Sequence, residues 1–218
     1  MVVENPRPGS RPARTNLADM AQRTEDEVTR LALAAKAGDR SAAAGFIQLT
    51  QRDLLRFVSV LADRNDVEDI AQETYLRAMR ALAAFDARSS ARTWLFAIAR
   101  RAAADQVRLA RRRPRTTALD DFDEARRPSH TPRLDEAVAV RDLLRTLDAE
   151  RREAFALTQM LGLSYEEAAQ ICGCPVGTIR SRVSRAREQL VAAMRADTQQ
   201  QTAGYPRNAR SRRTDQAG

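Results

Sequence analysis

Lysine is almost missing. The chain of 218 residues has one lysine (Lys36), one histidine (His130) and two cysteines (Cys172 and Cys174). A zinc site needs about four ligands, and His130 lies far from both thiols, so this chemistry is excluded. One residue separates the cysteines, a spacing at which a disulfide would be strained. They read as a reduced core cysteine and a turn cysteine. No Ser/His/Asp set can form beyond the isolated His130, and no glycine-rich loop offers a phosphate cradle. The expectation is a protein that is not an enzyme and carries no cofactor. No apolar run approaches the roughly 20 residues of a membrane span. The opening MVVENPRPGSRPARTN lacks the apolar core of a secretory signal, so a cytoplasmic protein with no membrane partner is expected. Aromatics make up only 5%. What remains is alanine, leucine and arginine, which favour helix. The net charge of +8 points to a polyanionic partner, nucleic acid first. The sign of that charge carries the argument; arginine in place of lysine follows the heavy alanine use of GC-rich coding sequence.

Hydropathy divides the chain. Residues 1–24 mix proline, arginine and polar residues without period, as in a disordered extension; Met20, just before the first periodic segment, offers a second translation start. From Glu25 to Arg113 helical periodicity recurs. Val28, Leu31, Ala32 and Ala35 form one stripe; Phe46, Leu49, Leu54, Leu55, Val58 and Leu61 form a second, from two helices or one bent one. Val67, Ile70, Ala71, Thr74, Ala78 and Leu82 form a third, and Trp94, Leu95, Ile98, Ala99 and Ala102 a fourth after the break FDARSS. Residues 114–133 hold prolines and scattered charge, the composition of a flexible linker. Helical pattern returns over 134–194, and 195–218 reads as a disordered tail. The expected fold is all-α, with two small helical domains on a linker.

The second block has a readable internal logic. In LSYEEAAQICGCPVGTIRSRVSRA, Ser164 and Glu167 form an S-x-x-E capping box. Gly173 suits a helix stop with positive φ, and Pro175 suits the first turn of the next helix. This is a helix-turn-helix. At 100° per residue, Ile179, Val183, Ala186 and Leu190 share the inward face. Gly177, Thr178, Ser181, Ser184 and Arg185 lie opposite, with Arg180 and Arg187 on one flank and Arg182 on the other. Small outward residues ringed by arginines suit entry into a major groove. Thr178, Arg180, Ser181, Ser184 and Arg185 are candidates for base edges, and Arg182 and Arg187 for phosphates. A merely solvated helix would mix signs along its length.

The first block narrows the function. Its third stripe begins acidic with Asp66, Glu68, Asp69 and Glu73. Asn65 or Asp66 can cap it, and early carboxylates suit the helix dipole. That does less to explain Asp69, Gln72, Glu73 and Leu76, which share an outward side and form a docking ridge for a basic protein surface. The next helix is arginine-rich and begins near Trp94 and Phe96, a combination suited to single-stranded or melted DNA.

DVEDIAQETYLRAMRAL, SSARTWLFAIARR and LGLSYEEAAQICGCPVGTIRSRVSRAREQL resemble the signature segments of extracytoplasmic-function sigma factors, the last two being nearest the actinobacterial sigma C type. The resemblance covers Glu25 to Met194. It implies a sigma-2 helical bundle over 25–113 and a sigma-4 helix-turn-helix over 134–194. It also implies core RNA polymerase as partner, through the β′ clamp helices and the β flap, with promoter DNA and, in many members, an anti-sigma protein. Asp66, Asp69, Gln72, Glu73 and Leu76 would meet the clamp. Ser89, Ser90, Arg92 and Trp94 would serve the opened −10 element, with Arg100 and Arg101 on the backbone. Thr178, Arg180, Ser181, Arg182, Ser184, Arg185 and Arg187 would serve the −35 element. The alternative is a free-standing helix-turn-helix regulator, which would bind its operator without polymerase.

Overall fold

The computed structural model describes residues 17–112 and 140–203. Among these no strand is present. The helices are α1 (Leu17–Lys36), α2 (Arg40–Leu61), α3 (Val67–Ala81), α4 (Ala91–Arg112), α5 (140–145), α6 (Ala149–Phe155), α7 (Tyr165–Cys172) and α8 (Val176–Ala203). The stripe from Phe46 to Leu61 is one helix, α2. Asp39 caps it, its carboxylate accepting from the Ser41 and Ala42 N–H groups at 2.8 and 3.0 Å.

Two expected boundaries move. Leu17–Thr24, assigned to a disordered extension, is the first part of α1, and 195–203, assigned to the tail, continues α8. Neither stretch contains proline or glycine, and extending a nucleated helix through alanine, glutamine and arginine is cheap. The rest of the extension (1–16), the linker (114–133) and the end of the tail (204–218) lie outside the described residues.

One apolar cluster lies at the N-terminal end, where Val28, Ala32, Phe46, Leu82, Phe85 and Leu95 are buried. Lys36 closes its edge, donating to the Phe85 carbonyl at 2.7 Å. The other cluster runs through both halves of the chain. Phe57, Phe96, Ala99 and Ala102 from the first half bury against Leu157, Leu161, Ala168 and Cys172 from the second. Small side chains on α4 and α7 permit this close approach, so α7 seats directly on α4. Phe57 and Phe96 anchor the joint, their ring centroids 5.3 Å apart.

Candidate nucleic-acid and polymerase interface

The outward side of α3 forms as the periodicity requires. Val67, Ile70, Ala71, Thr74 and Ala78 turn α3 inward, which leaves Asp69, Gln72 and Leu76 exposed and Glu73 half-buried beside them. Leu76 is 52% exposed, a large apolar side chain with acids on its helix face. Asp66 stands apart. It precedes α3 at the end of a 3-10 turn and makes no side-chain cap; its carboxylate faces Gln106 of α4 at 3.5 Å. Glu73 accepts from Arg77 at 2.7 Å, and Arg77 also reaches Asp105 of α4 at 2.6 Å. Because α3 is tied to α4 in this way, Asp105 is held below the usual carboxylate range by its hydrogen bonds to Arg77 and Arg108.

The residues expected to serve the −10 element lie before and along α4, and three of them, Ser90, Arg92 and Arg100, face the second half of the chain. The loop into α4 reverses at Ala87, with φ 57. Ser90 then caps α4, its hydroxyl accepting from the Thr93 N–H at 3.2 Å. Glu167 of α7 faces both hydroxyls, accepting from Thr93 at 3.0 Å and from Ser90 at 3.4 Å. Arg92 is only 15% exposed. It donates to Asp53 and to the Leu161 carbonyl, both at 2.7 Å, and to Glu25 at 3.3 Å; its guanidinium lies 5.5 Å from the Phe96 ring centroid. Arg100 donates to Glu153 of α6 at 2.5 Å. Trp94 is half-buried against Phe85, with centroids 4.9 Å apart. Of the set, Arg101 is fully outward and Ser89 half-buried.

Two carboxylates in this joint are raised above their ordinary range. Burial is the larger cause for Glu25, with Glu167 adding repulsion against the pull of Arg92. Burial also dominates at Glu153, against Arg100 and Arg182. Its partner Arg100 is desolvated too, yet the charge and hydrogen bond of Glu153 hold it above its usual value. The two ends of one pair differ because the Glu153 side chain is 7% exposed and that of Arg100 is 40% exposed.

The helix-turn-helix matches its sequence logic closely. Ser164 accepts from the Glu167 N–H at 3.1 Å and Glu167 accepts from the Ser164 N–H at 2.9 Å, completing the capping box. Gly173 is left-handed, φ 65 and ψ 40. Ile179, Val183, Ala186 and Leu190 are buried. Arg180, Ser181, Ser184, Arg185 and Arg187 are exposed and Thr178 half-exposed. Arg187 reaches Gln159 at 2.5 Å, and Ser184 donates to Glu188 at 3.1 Å. Arg182 differs from the others: it is drawn in toward Glu150 and Cys174. Burial pushes the Cys172 thiol up to about 12, consistent with an inert core side chain; both cysteines are free.

Sequence reasoning missed Glu25, Asp53, Thr93, Glu153 and the second task of Glu167. Each is a polar residue whose partner lies far along the chain, so no local spacing announces it.

Residues 46–113 match the Sigma-70 region 2 family, and residues 137–190 match Sigma-70, region 4. The chain belongs to the sigma-70 family of RNA polymerase sigma factors, in its extracytoplasmic-function group. It is 49% identical over 184 residues to the ECF RNA polymerase sigma factor SigC of Mycobacterium tuberculosis, covering 81% of this chain and 97% of that one. It is 32% identical over 185 residues to the ECF RNA polymerase sigma-E factor of Escherichia coli K12, covering 78% and 95%. Among solved structures it resembles CnrH in complex with the cytosolic domain of CnrY, with TM-score 0.63 and 27% identity over 78% of this chain and 99% of that one. It also resembles the sigma factor RpoE bound to the anti-sigma factor NepR from Bartonella quintana, with TM-score 0.54 and 33% identity over 70% and 98%. This sigma factor shares its helical architecture with both. No helix among its described residues is long and apolar enough to cross a membrane.

Proposed function

We propose that this sigma factor docks on the clamp of core RNA polymerase through Asp69, Gln72, Glu73 and Leu76, with Asp66 at the ridge's edge. It reads the −35 element with α8 and holds the opened −10 strand with the segment from Ser89 to Arg101. The observation that carries this reading is the recognition helix. A complete capping box and a left-handed glycine place α8 so that its small polar residues and Arg180 and Arg185 point outward. Thr178, Arg180, Ser181, Ser184 and Arg185 take base edges, and Arg187 reaches toward the phosphates. The ridge, the −10 segment and α8 follow one another along the chain as the region 2 and region 4 matches do.

The arrangement of the halves adds a step. Ser90, Thr93, Arg92 and Arg100 are held by Glu167, the Leu161 carbonyl and Glu153. A strand can reach Ser90 and Arg100 only after α6 and α7 leave α4, and Arg92 only after it also gives up Asp53 and Glu25 of its own half. Clamp docking at α3 and −35 binding at α8 would supply the free energy for that separation, with no nucleotide hydrolysis. The protein then acts in the cytoplasm, where the polymerase is, as an initiation factor and not a catalyst. The relative solved with the anti-sigma factor NepR makes an anti-sigma protein a further expected partner.

The test mixes purified protein with bacterial core polymerase and a pool of native promoters. Promoter-selective initiation that disappears in Asp69→Lys/Glu73→Lys is the expected result. Tight operator binding by the protein alone, with no initiation, would favour the free-standing regulator.

A further inference from the structure

Arg182 differs from every other arginine of the recognition helix. Its side chain is 18% exposed, whereas Arg180, Arg185 and Arg187 are exposed. One of its terminal nitrogens pairs with Glu150 in the first turn of α6. The other donates to the Cys174 thiol at 3.6 Å, in the turn that leads into α8. One guanidinium therefore ties together the reading helix, the turn before it and the helix behind it. Cys174 is itself fixed, its N–H donating to the Ala169 carbonyl at 3.1 Å.

The surroundings of Arg182 do not suit a phosphate. A cleft of about 390 Å³ opens beside the helix between Thr178, Ser181, Arg182 and Arg185 on one wall and Asp148, Glu150 and Arg151 on the other. A DNA backbone entering that cleft would meet Glu150 already paired with Arg182 and Asp148 already paired with Arg151. The opposite flank, with Arg180 and Arg187, carries no such wall: Arg187 meets the neutral Gln159. The helix thus has a flank of outward arginines and a flank where arginine and carboxylate are paired, and Arg182 belongs to the second.

We propose that Arg182 is a positioning residue for −35 recognition and not a phosphate contact. It fixes the angle at which α8 leaves the turn, and so the depth and tilt at which Ser181 and Arg185 meet base edges. Glu150 is its necessary partner. A planar guanidinium holds two acceptors in different directions at once, which a lysine ammonium at the end of a flexible stem does not reproduce. This inference rests on reading α8 as the −35 helix.

The experiment uses the full chain assembled with core polymerase and two promoter probes, identical except that one carries a scrambled −35 element. Two quantities are read: the affinity ratio between the probes, and the slope of log affinity against log salt. Arg182→Lys and Glu150→Gln are each expected to lower the ratio at least threefold with the salt slope unchanged. The double variant should do little more than either alone, because both break one link. Glu150 is 70% exposed, so its isosteric replacement leaves the fold intact and keeps the test open even if changes at Arg182 are poorly tolerated. Arg182→Lys with an unchanged ratio, together with Arg182→Gln that lowers the slope by about 0.9, the value for one lost phosphate contact, would overturn the proposal. A wild-type complex that does not distinguish the two probes would sink the −35 reading itself, and the proposal with it. That outcome is recognised in the wild type before any variant is compared.

Discussion

The two surfaces proposed to meet DNA in this sigma factor use the same residue types and end in opposite situations. At the start of α4, serine and arginine face inward to a joint, where Glu153, Glu167 and the Leu161 carbonyl occupy them. On α8, serine and arginine face outward, and among the described residues Arg180 and Arg185 make no salt bridge. Arginine content cannot predict which surface is available. What decides it is whether the opposing element brings matched acceptors and an apolar seat. Here α7 does both, packing Ala168 and Cys172 on α4 while its capping carboxylate reaches Ser90 and Thr93.

The largest way to break this contrast is Arg92→Ala. It strands Asp53 and Glu25 beside an emptied joint and removes the donor to Leu161. Unpairing a buried ion costs several kcal/mol, and this partly solvated case should cost roughly 2–4 kcal/mol, read as a lowered urea midpoint for the whole chain. A change confined to α8 should behave differently. Arg185→Ala should cost about 1–3 kcal/mol of promoter affinity if the guanidinium makes a bidentate base contact. The urea midpoint should stay where it is, because this side chain supports nothing in the fold. Unchanged promoter preference in that variant would remove Arg185 from the reading set. Smaller again is Ser164→Ala, which takes one half of the capping box and should cost about 1 kcal/mol of stability, with the −35 preference retained.

The smallest expected effect is a pH dependence of the joint. Glu153 and Glu25 are both raised, mainly by burial. A carboxyl raised in the packed state binds its proton more tightly there than when exposed. Stability therefore falls as pH rises from the ordinary carboxyl range through the raised value, and is fullest below that range. Mild acidification from pH 7 should tighten the contact between the halves, until loss of other carboxylate pairs reverses the gain. Glu153→Gln should flatten that pH dependence. Denaturant midpoints taken from pH 7 to pH 5 in both proteins measure it; identical slopes would show that Glu153 does not titrate with the joint.

The sequence was legible where the physics is local. The capping box at Ser164, the left-handed Gly173 and the inward stripe from Ile179 to Leu190 all follow from spacing, and the structure has each. The same holds for the exposed ridge Asp69, Gln72 and Leu76 on α3. Legibility fails where a side chain's partner lies far away in sequence. Glu153, within AERREAF, reads as one more solvated acid, but only its contact with Arg100, 53 residues earlier, makes it buried. Ser90 reads as a pocket residue and is also the cap of α4 facing Glu167, 77 residues on. Arg182 reads as a phosphate contact by its angle alone; its tie to Glu150 appears only when α6 is placed beside α8.

The most direct test compares two probes on the protein with and without core polymerase. One is a −35 duplex; the other is the single strand of the −10 element. The account predicts that the protein alone holds the duplex only weakly and the strand hardly at all, and that the polymerase-bound protein binds both. Equal capture of the −10 strand by the protein with and without polymerase would contradict it, because Ser90, Arg92 and Arg100 would then be available without separation of the halves.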